Sequence, residues 1–387
     1  MDLDNGKMFF ALLHSAVTGE KLTEADCKAY SPDMLEELLK TSSKHDIANL
    51  LVMGLRNNDL IEENSAAVHK YILITAYRYE RMQDEYKKLC KVFERADIPF
   101  IPLKGSIIRQ YYPQPWMRTS CDIDILVHEE DLEKAKALLV DEHGYTYQGK
   151  GSHDISLYSS GGVHVELHYT LLEKGKENAS AIVLNNVWNS VTARAGFNNF
   201  FEVSDELFYF YHVAHMAKHF EGGGCGIRPF IDLWILDHIN SADTAKRDGL
   251  LRDGELLTFA GAARKLSRVW FENAEHDDLS LRMEKYILTG GVYGTTENKI
   301  AVGHGKKGGK MGYLMSRVFV STDVLIVRYP SLAKHRWLVP IYQVRRWFGI
   351  VFCGRLKRSV NEIKLSGSIS DDRAQATKAL LDEIGLK

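Results

Sequence analysis

The chain has 387 residues, of which 45% are hydrophobic and 26% are charged, and its formal net charge is −2. This composition is typical of a globular protein, and it carries no strong nucleic-acid signal. The five cysteines form no Cys-x-x-Cys pair, which argues against a disulfide framework or a zinc ribbon. Acidic first residues and the lack of a long apolar run favour a cytoplasmic protein without a signal peptide or transmembrane span.

The N-terminal region, residues 1–97, is predicted to be helical. Ser31 followed by Pro32 is typical of a helix start, because serine caps the first turn and proline fits its first position. Apolar residues at helical spacing between residues 66 and 97 predict a long amphipathic helix.

The pattern changes at Ile98, where short apolar runs replace the helical spacing. Strands are predicted at 98–103, 121–127, 145–150, 153–159 and 163–171, with helices after the first two. The Ser-Ser-Gly-Gly run at 159–162 predicts a hairpin turn before the last strand. We therefore expect residues 98–200 to contain a small α/β core.

Residues 201–387 are predicted to be mostly helical, starting from a cap at Ser204. The Gly/Lys-rich run 292–312 is predicted to be a mobile loop, and its part 303–312 is either a lid over an anionic substrate or a solvated loop. A polar segment, 364–372, is expected before a short terminal helix. The fold class is therefore α+β, with a small mixed sheet between helical regions. The C-terminal helical region is expected to close a substrate cleft beside the sheet.

Two aspartates lie on one predicted strand. Side chains alternate along a strand, so Asp122 and Asp124 share one face, about 7 Å apart. Two carboxylates that close repel each other and favour a bound cation or a proton. The motif therefore indicates a site for a divalent metal. The alternative is two acids that face solvent on an edge strand.

The last predicted strand carries a third acid. Alternation puts His164, Glu166 and His168 on one face of this strand. If the strand neighbours the Asp-x-Asp strand, Glu166 supplies a third metal ligand or a general base. The polar outer face of a hairpin is the alternative.

A short turn precedes the aspartates, between a predicted strand and a predicted helix. Gly105 permits close backbone approach, and Ser106 adds a hydroxyl beside a helix N-terminus, as in a phosphate-binding turn. Lys104 can reach a phosphate or simply extend to solvent. Arg118 is a candidate partner for a phosphate or a carboxylate.

The order of these elements resembles the polymerase-beta type of nucleotidyltransferase. The runs PLKGSIIRQYYPQPWMRTSCDIDILV, VHVELHYTL and IRPFIDLWIL are similar to an uncharacterised nucleotidyltransferase family, with the likeness extending over about residues 70–350. The resemblance implies transfer of a nucleoside monophosphate from a triphosphate such as ATP to an unknown acceptor. It also implies phosphate binding by Gly105 and Ser106, and Mg²⁺ (or Mn²⁺) binding by Asp122, Asp124 and Glu166.

The sequence departs from the superfamily pattern in two places. Pro113, Pro115 and Trp116 interrupt the stretch between the turn and the aspartates, where the superfamily has helix. The third acid is Glu166 between two histidines, whereas the superfamily often has aspartate. Its role as a ligand or as a base therefore stays open.

Five residues are candidates for the substrate cleft, and one of them is His168 on the last predicted strand. The resemblance suggests that His215 and His219 border it, although core histidines and, with a fourth ligand, a zinc site that includes His212 are alternatives. Arg228 and Asp232 are four residues apart, which predicts a helical ion pair or a phosphate contact by the arginine.

The C-terminal segment from His335 to Arg358 mixes aromatic and basic residues. Such a segment can contact a membrane surface peripherally, but Pro340 interrupts it and packing on the helical region is the alternative. The oligomeric state has no sequence signature.

Two other functions compete with the nucleotidyltransferase. A glycosyltransferase also uses Asp-x-Asp, but it requires a βαβ nucleotide-binding unit before the motif, where this chain is helical. A non-catalytic nucleotide-binding or scaffold protein of the same fold is the second alternative.

Overall fold

The structure is a computed structural model that describes residues 3–172, 178–239, 242–352 and 356–386; Cys353 lies outside these ranges. The chain divides into two compact units, Met1–Met216 with Gly226–Glu284, and Ala217–Cys225 with Lys285–Lys387. Among the described residues, no helix combines the length and the apolar composition that crossing a bilayer requires.

Helices form the chain before the first strand, as predicted. They are α1 Leu3–Thr18, α2 Glu24–Ala29, α3 Leu35–Lys44, α4 Ala48–Asn57, α5 Ala66–Val68 and α6 Ile74–Arg95. A π-helical turn, His69–Leu73, joins α5 to α6. The predicted cap at Ser31 is confirmed, because its hydroxyl accepts a hydrogen bond from the Asp33 amide at the start of a 3-10 turn with Pro32 at its beginning.

A five-stranded mixed sheet follows in the order β1-β2-β5-β4-β3. The strands are β1 Phe100–Pro102, β2 Asp122–Val127, β3 Thr146–Lys150, β4 Asp154–Tyr158 and β5 His164–His168. Only the central β2–β5 pair is parallel. The predicted hairpin turn is confirmed: the Gly162 amide donates to the Ser159 carbonyl at 2.8 Å, with φ of +75° at the glycine. The predicted α+β class is therefore correct.

The strand alternation separates an apolar face from a polar face. Ile123, Ile125 and Val127 of β2 pack in one core with Val165 and Leu167 of β5. The same core includes Leu89 and Phe93 of α6, and Leu132 and Leu139 from the helical segment that follows β2. Because side chains alternate, the acidic residues of both strands lie on the opposite face of the sheet.

The other helices that begin in the first unit lie before β2, between β2 and β3, and after β5, and two of them end in the second unit. The helices are α7 Gly105–Ile108, α8 Leu132–Ala137, α9 Ala179–Asn185, α10 Asp205–Glu221, α11 Arg228–Ile239, α12 Thr244–Asp253, α13 Leu257–Glu272 and α14 Asp278–Thr289. A two-stranded ribbon is formed by β6 Val191–Ala193 and β7 Phe201–Val203. The Ser204 cap is confirmed, since its hydroxyl accepts from the Leu207 amide at 3.3 Å.

The Gly/Lys-rich run in the second unit is mostly helical, so the prediction of a loop over 292–312 is wrong. It contains α15 Thr296–Lys306 and the start of α16 Lys310–Val318. A β-carbon on Gly303 would lie 2.5 Å from the ring of Tyr313, so this glycine allows the two helices to pack closely. Ile300 and Ala301 are buried beside that contact. Tertiary packing therefore outweighs the low helix propensity of glycine.

The C-terminal helices are α17 Thr322–Arg328, α18 Val339–Phe352, α19 Leu356–Ser368 and α20 Asp371–Glu383. The predicted polar break at 364–372 is confined to two residues, because α19 continues to Ser368 and Ser370 caps α20. Pro340 is the second residue of α18, in the first turn, where a proline is compatible with the helix. Trp337, Ile341 and Phe348 are exposed, so the segment presents an apolar surface.

Candidate active site

The parallel pairing of β2 and β5 brings the acids of both strands together. Asp124 lies opposite Glu166, and Asp122 lies opposite His164. The two strands are separated by 36 residues of chain that include α8, β3 and β4, so only the sheet topology creates this neighbourhood. The sequence-based expectation that the Glu strand neighbours the Asp-x-Asp strand is confirmed.

Two overlapping groups of donor atoms lie on this face. One consists of Asp122, His164 and Glu166, and the other consists of Asp124, Glu166 and His168. Within each group, the ligand atoms lie within 4.8 Å of one another. Carboxylate oxygens and imidazole nitrogens both bind divalent cations, so the donor set fits a metal ion.

Asp124 is the most buried of the acids, with an exposed fraction of 2%. Its Oδ1 atom accepts a hydrogen bond from Lys104 Nζ at 2.8 Å and lies 2.9 Å from His168 Nε2. Burial by itself raises the pKa of Asp124, but the charge of Lys104 and the bond to His168 hold it well below the ordinary range. The carboxylate is therefore ionised and paired.

The pKa values of the other two carboxyl groups shift in opposite directions. Burial, followed by the negative charge of Asp124, raises the pKa of Asp122. The hydrogen bond with His168 lowers the pKa of Glu166 despite its partial burial. Three carboxyls in one small volume carry an excess of negative charge, which a bound cation would relieve.

The predicted phosphate turn joins β1 to α7. Lys104 has φ of +44° and ψ of −117°, a conformation that costs energy for a residue with a β-carbon. This backbone directs the lysine side chain to Asp124. A β-carbon on Gly105 would lie 2.6 Å from Arg118 Nη1 and 3.0 Å from Ser120 Oγ. Glycine is therefore required for the close approach of Arg118, whereas the half-buried Ser106 follows at the start of α7.

A phosphate or a carboxylate was predicted as the partner of Arg118, and the structure shows a carboxylate. Its Nη2 atom lies 2.9 Å from Asp232 Oδ2, and the hydroxyl of Tyr112 donates to Asp232 Oδ1 at 2.7 Å. Burial by itself raises the pKa of Asp232, but the charges of Arg118 and His212 lower it overall. This pair attaches the segment before β2 to α11.

The predicted helical ion pair between Arg228 and Asp232 is wrong. Arg228 Nη1 instead lies 2.8 Å from Asp46 Oδ2 and 2.8 Å from Thr119 Oγ1. The i,i+4 spacing permits a pair on α11, but each side chain finds a partner from a segment distant in sequence.

The interrupted segment before the aspartates is anchored to the N-terminal helices. Residues Pro115–Met117 form a 3-10 turn, and Trp116 packs on an apolar cluster that contains Val52 and Ile72. The side-chain amide of Asn49 donates to the Met117 carbonyl at 2.7 Å. The proline-rich departure from the superfamily pattern thus has a packing role.

Sequence reasoning missed Arg109, which follows Gly105 by four residues. It is 7% exposed, its Nε donates to the Gly105 carbonyl at 2.7 Å, and its guanidinium lies 5.4 Å from the Tyr79 ring centre. No carboxylate of the described residues pairs with it. Burial and the neighbouring Arg118 lower the pKa of Arg109 to about 10. The sequence signal that could have identified Arg109 is its position four residues after Gly105, which places it one helical turn from the predicted phosphate turn.

Helix α10 contributes a second missed residue, Tyr211. Burial raises the pKa of its hydroxyl, the charge of Lys104 opposes that shift and the charge of Asp124 adds to it, so the hydroxyl is within electrostatic range of the acidic cluster. His215 follows one turn later, with ring centres 6.3 Å apart. His212 Nε2 contacts the Pro229 carbonyl at 2.9 Å. His219 belongs to the second unit, where its ring lies 5.7 Å from that of Tyr293.

The three histidines of α10 do not form a metal group. Within the part of the chain that the structure describes, only the two groups on β2 and β5 bring three suitable donors together. The zinc alternative for α10 therefore has no support in the geometry.

Comparison with known proteins identifies the family. A family model described as an uncharacterised nucleotidyltransferase matches residues 31–272, which include the turn, β2, β5 and α11. No curated protein and no solved structure matches the chain. Because the match extends over more than half of the 387 residues, this chain belongs to the uncharacterised nucleotidyltransferase family.

Proposed function

We propose that this protein transfers a nucleoside monophosphate from a nucleoside triphosphate to an acceptor hydroxyl or phosphate, with the help of divalent metal ions. The observation that carries the proposal is the register of β2 and β5, which brings Asp122, Asp124 and Glu166 together beside the Lys104–Ser106 turn. Family membership supports a transferase, and the acidic cluster supports metal binding.

In the proposed reaction, an acceptor oxygen forms a bond to the α-phosphorus of the nucleotide. The bond between that phosphorus and the α–β bridging oxygen breaks, and pyrophosphate leaves with the electron pair. When the acceptor is a hydroxyl, its proton passes to solvent. Bound Mg²⁺ or Mn²⁺ would stabilise negative charge on the attacking and leaving oxygens. The protein mainly supplies position and charge in such a reaction.

Each site residue has a proposed role that follows from its contacts. Asp122, Asp124 and Glu166 hold the metal ions. The lowered pKa of Glu166 makes it a weak base at neutral pH, which supports the ligand role over the general-base role. Lys104 and Ser106 contact phosphate oxygens, and Lys104 releases Asp124 when it does so.

Arg118 and Asp232 act as positioning residues in this proposal. Their buried ion pair holds the segment that enters β2 and the guanidinium that packs on Gly105. His215, one turn from Tyr211, borders the substrate cleft. Neither Arg118 nor Arg228 needs to contact a phosphate, because each already has a carboxylate partner.

The two competing functions make different predictions. A glycosyltransferase of the Asp-x-Asp type requires a βαβ nucleotide-binding unit, but the described residues before β1 contain helices and no strand. A non-catalytic protein of the same fold would bind the metal–nucleotide complex without turnover.

The test is an assay with each labelled nucleoside triphosphate, in the presence of Mg²⁺ or Mn²⁺ and cell extract. Pyrophosphate release and transfer of label to an acceptor are expected for the wild-type chain and not for Asp124→Asn. The matched control is Asp141→Asn, an exposed aspartate after α8, which should retain full transfer. Nucleotide binding without transfer, under conditions where the chain is folded, would favour the non-catalytic protein.

A further inference from the structure

Two histidines flank Glu166 on β5, and both belong to the donor groups described above. His164 lies with Asp122 and Glu166, whereas His168 lies with Asp124 and Glu166. The two groups share only Glu166. Each candidate metal position therefore has two carboxylates and one imidazole within ligand distance of one another.

The ring of His164 is held in a fixed orientation. Its Nε2 atom lies 2.7 Å from Ser156 Oγ on β4, and its ring stacks on Tyr158 with ring centres 4.7 Å apart. Metal-binding histidines commonly use one nitrogen as the ligand and fix the other through such a hydrogen bond. Because Ser156 engages Nε2, Nδ1 is the nitrogen that remains for a metal.

His168 is almost completely buried, with an exposed fraction of 1%. Its Nε2 atom lies 2.9 Å from Asp124 Oδ1 and 3.6 Å from Glu166 Oε2, so this nitrogen points between the two carboxylates. Its Nδ1 atom is buried and makes no hydrogen bond. Within the described part of the chain, the polar contacts of this ring are therefore with the two acids that the proposed function assigns to the metal.

We propose that His164 and His168 are metal ligands, so that the centre has mixed nitrogen and oxygen donors and prefers a first-row transition ion such as Mn²⁺ over Mg²⁺. This inference rests on the metal site of the proposed function. Mg²⁺ binds oxygen donors and retains water, whereas imidazole is a good ligand for transition ions. A site with two imidazoles beside three carboxylates therefore discriminates against Mg²⁺.

The test measures Mn²⁺ binding to the full chain by electron paramagnetic resonance, without any nucleotide. Pulsed measurements report nitrogen nuclei bonded directly to the ion. We expect ¹⁴N couplings in the wild-type chain, and their replacement by ¹⁵N couplings when histidine is labelled with ¹⁵N. Competition with Mg²⁺ should require a large excess of Mg²⁺.

Three variants assign the nitrogens to residues. His164→Gln and His168→Gln should each weaken Mn²⁺ binding by at least about tenfold and remove part of the nitrogen coupling. The control His143→Gln alters an exposed histidine after α8 and should change neither. If His168→Gln fails to fold, the half-buried His164 and the wild-type spectrum still decide the question.

The outcomes separate this inference from the proposed function. Bound Mn²⁺ without nitrogen coupling, or no Mn²⁺ binding, would overturn the mixed-donor centre, even if Mg²⁺ supports nucleotide transfer. Nitrogen coupling that disappears in the variants would establish the centre, even if no nucleotide is transferred.

Discussion

Arg118 and Asp232 form a buried ion pair, although they are 114 residues apart in the chain. Arg118 precedes the Asp-x-Asp strand, and Asp232 lies on α11. The side chains are 11% and 0% exposed. Tyr112 donates a further hydrogen bond to the same carboxylate. The pair thus joins the segment that leads into the acidic cluster to a helix from much later in the sequence.

Removal of one partner from this pair should destabilise the first unit strongly. In Arg118→Met, the carboxylate of Asp232 stays buried without its cation, so the free energy of unfolding should fall by about 3–5 kcal/mol. Urea unfolding measures this change. Lys28→Gln breaks an exposed pair with Glu24 and should have little effect. Similar small losses in both variants would contradict the structural role of the buried pair.

The same pair should make stability depend on acidity. The pKa of Asp232 lies below its ordinary value in the folded chain, so the folded state holds fewer protons than the unfolded state. The contribution is complete above the unfolded pKa and is lost as the pH falls through the folded pKa. Unfolding measured between neutral pH and acid should show a smaller loss in the double variant Arg118→Met/Asp232→Leu. An unchanged pH profile would rule out this contribution.

Lys104 should compete with metal ions for Asp124. Its ammonium group lies 2.8 Å from the carboxylate, so its removal leaves a buried acid that gains more from a cation. We expect Lys104→Met to bind Mn²⁺ more tightly, on the order of tenfold or about 1.4 kcal/mol, and nucleoside triphosphate more weakly. Calorimetry can measure both affinities. The exposed Lys134→Met is the control, and weaker metal binding by Lys104→Met would exclude competition.

Gly105→Ala should disturb the turn through a steric clash. The new β-carbon would lie 2.6 Å from Arg118 Nη1, so that guanidinium must move and its pair with Asp232 must weaken. A loss of about 1–3 kcal/mol in unfolding free energy is expected. Gly261→Ala in α13 meets no atom within 4 Å and should be neutral or stabilising. Equal stability of the two variants would show that Arg118 adjusts freely.

Arg109 should contribute to nucleotide binding without contributing to stability. A buried guanidinium without a carboxylate partner is unfavourable, so Arg109→Met should unfold at the same or a higher urea concentration. The same change should weaken pyrophosphate binding if the arginine serves an anionic ligand. Arg264→Met is the control, because Arg264 pairs with Asp248 and contacts Tyr209, and its loss should destabilise. Unchanged pyrophosphate affinity would assign Arg109 to packing alone.

Several features of the site were predictable from the sequence because they depend on short-range geometry. The two-residue period of a strand places Asp122 with Asp124, and Glu166 with its flanking histidines, wherever these strands lie. Caps at Ser31 and Ser204 follow from a local hydrogen bond to the next turn.

Other features arise only from contacts between distant segments. The partners of Arg118, Arg228 and Lys104 are chosen by the packing of whole elements, and the i,i+4 rule therefore selected the wrong partner for Arg228. The helix at Gly303 forms because Tyr313 fills the space that a side chain would occupy.

The sequence by itself thus determined which acids and histidines share a strand face, because side-chain direction in a strand follows from the chain's own geometry. Only the tertiary structure decided that Asp124 faces Glu166, with Lys104 and His168 as its partners. The physical reason is that sheet order and buried ion pairs depend on the free energy of packing the complete unit. No short segment of the sequence determines that free energy by itself.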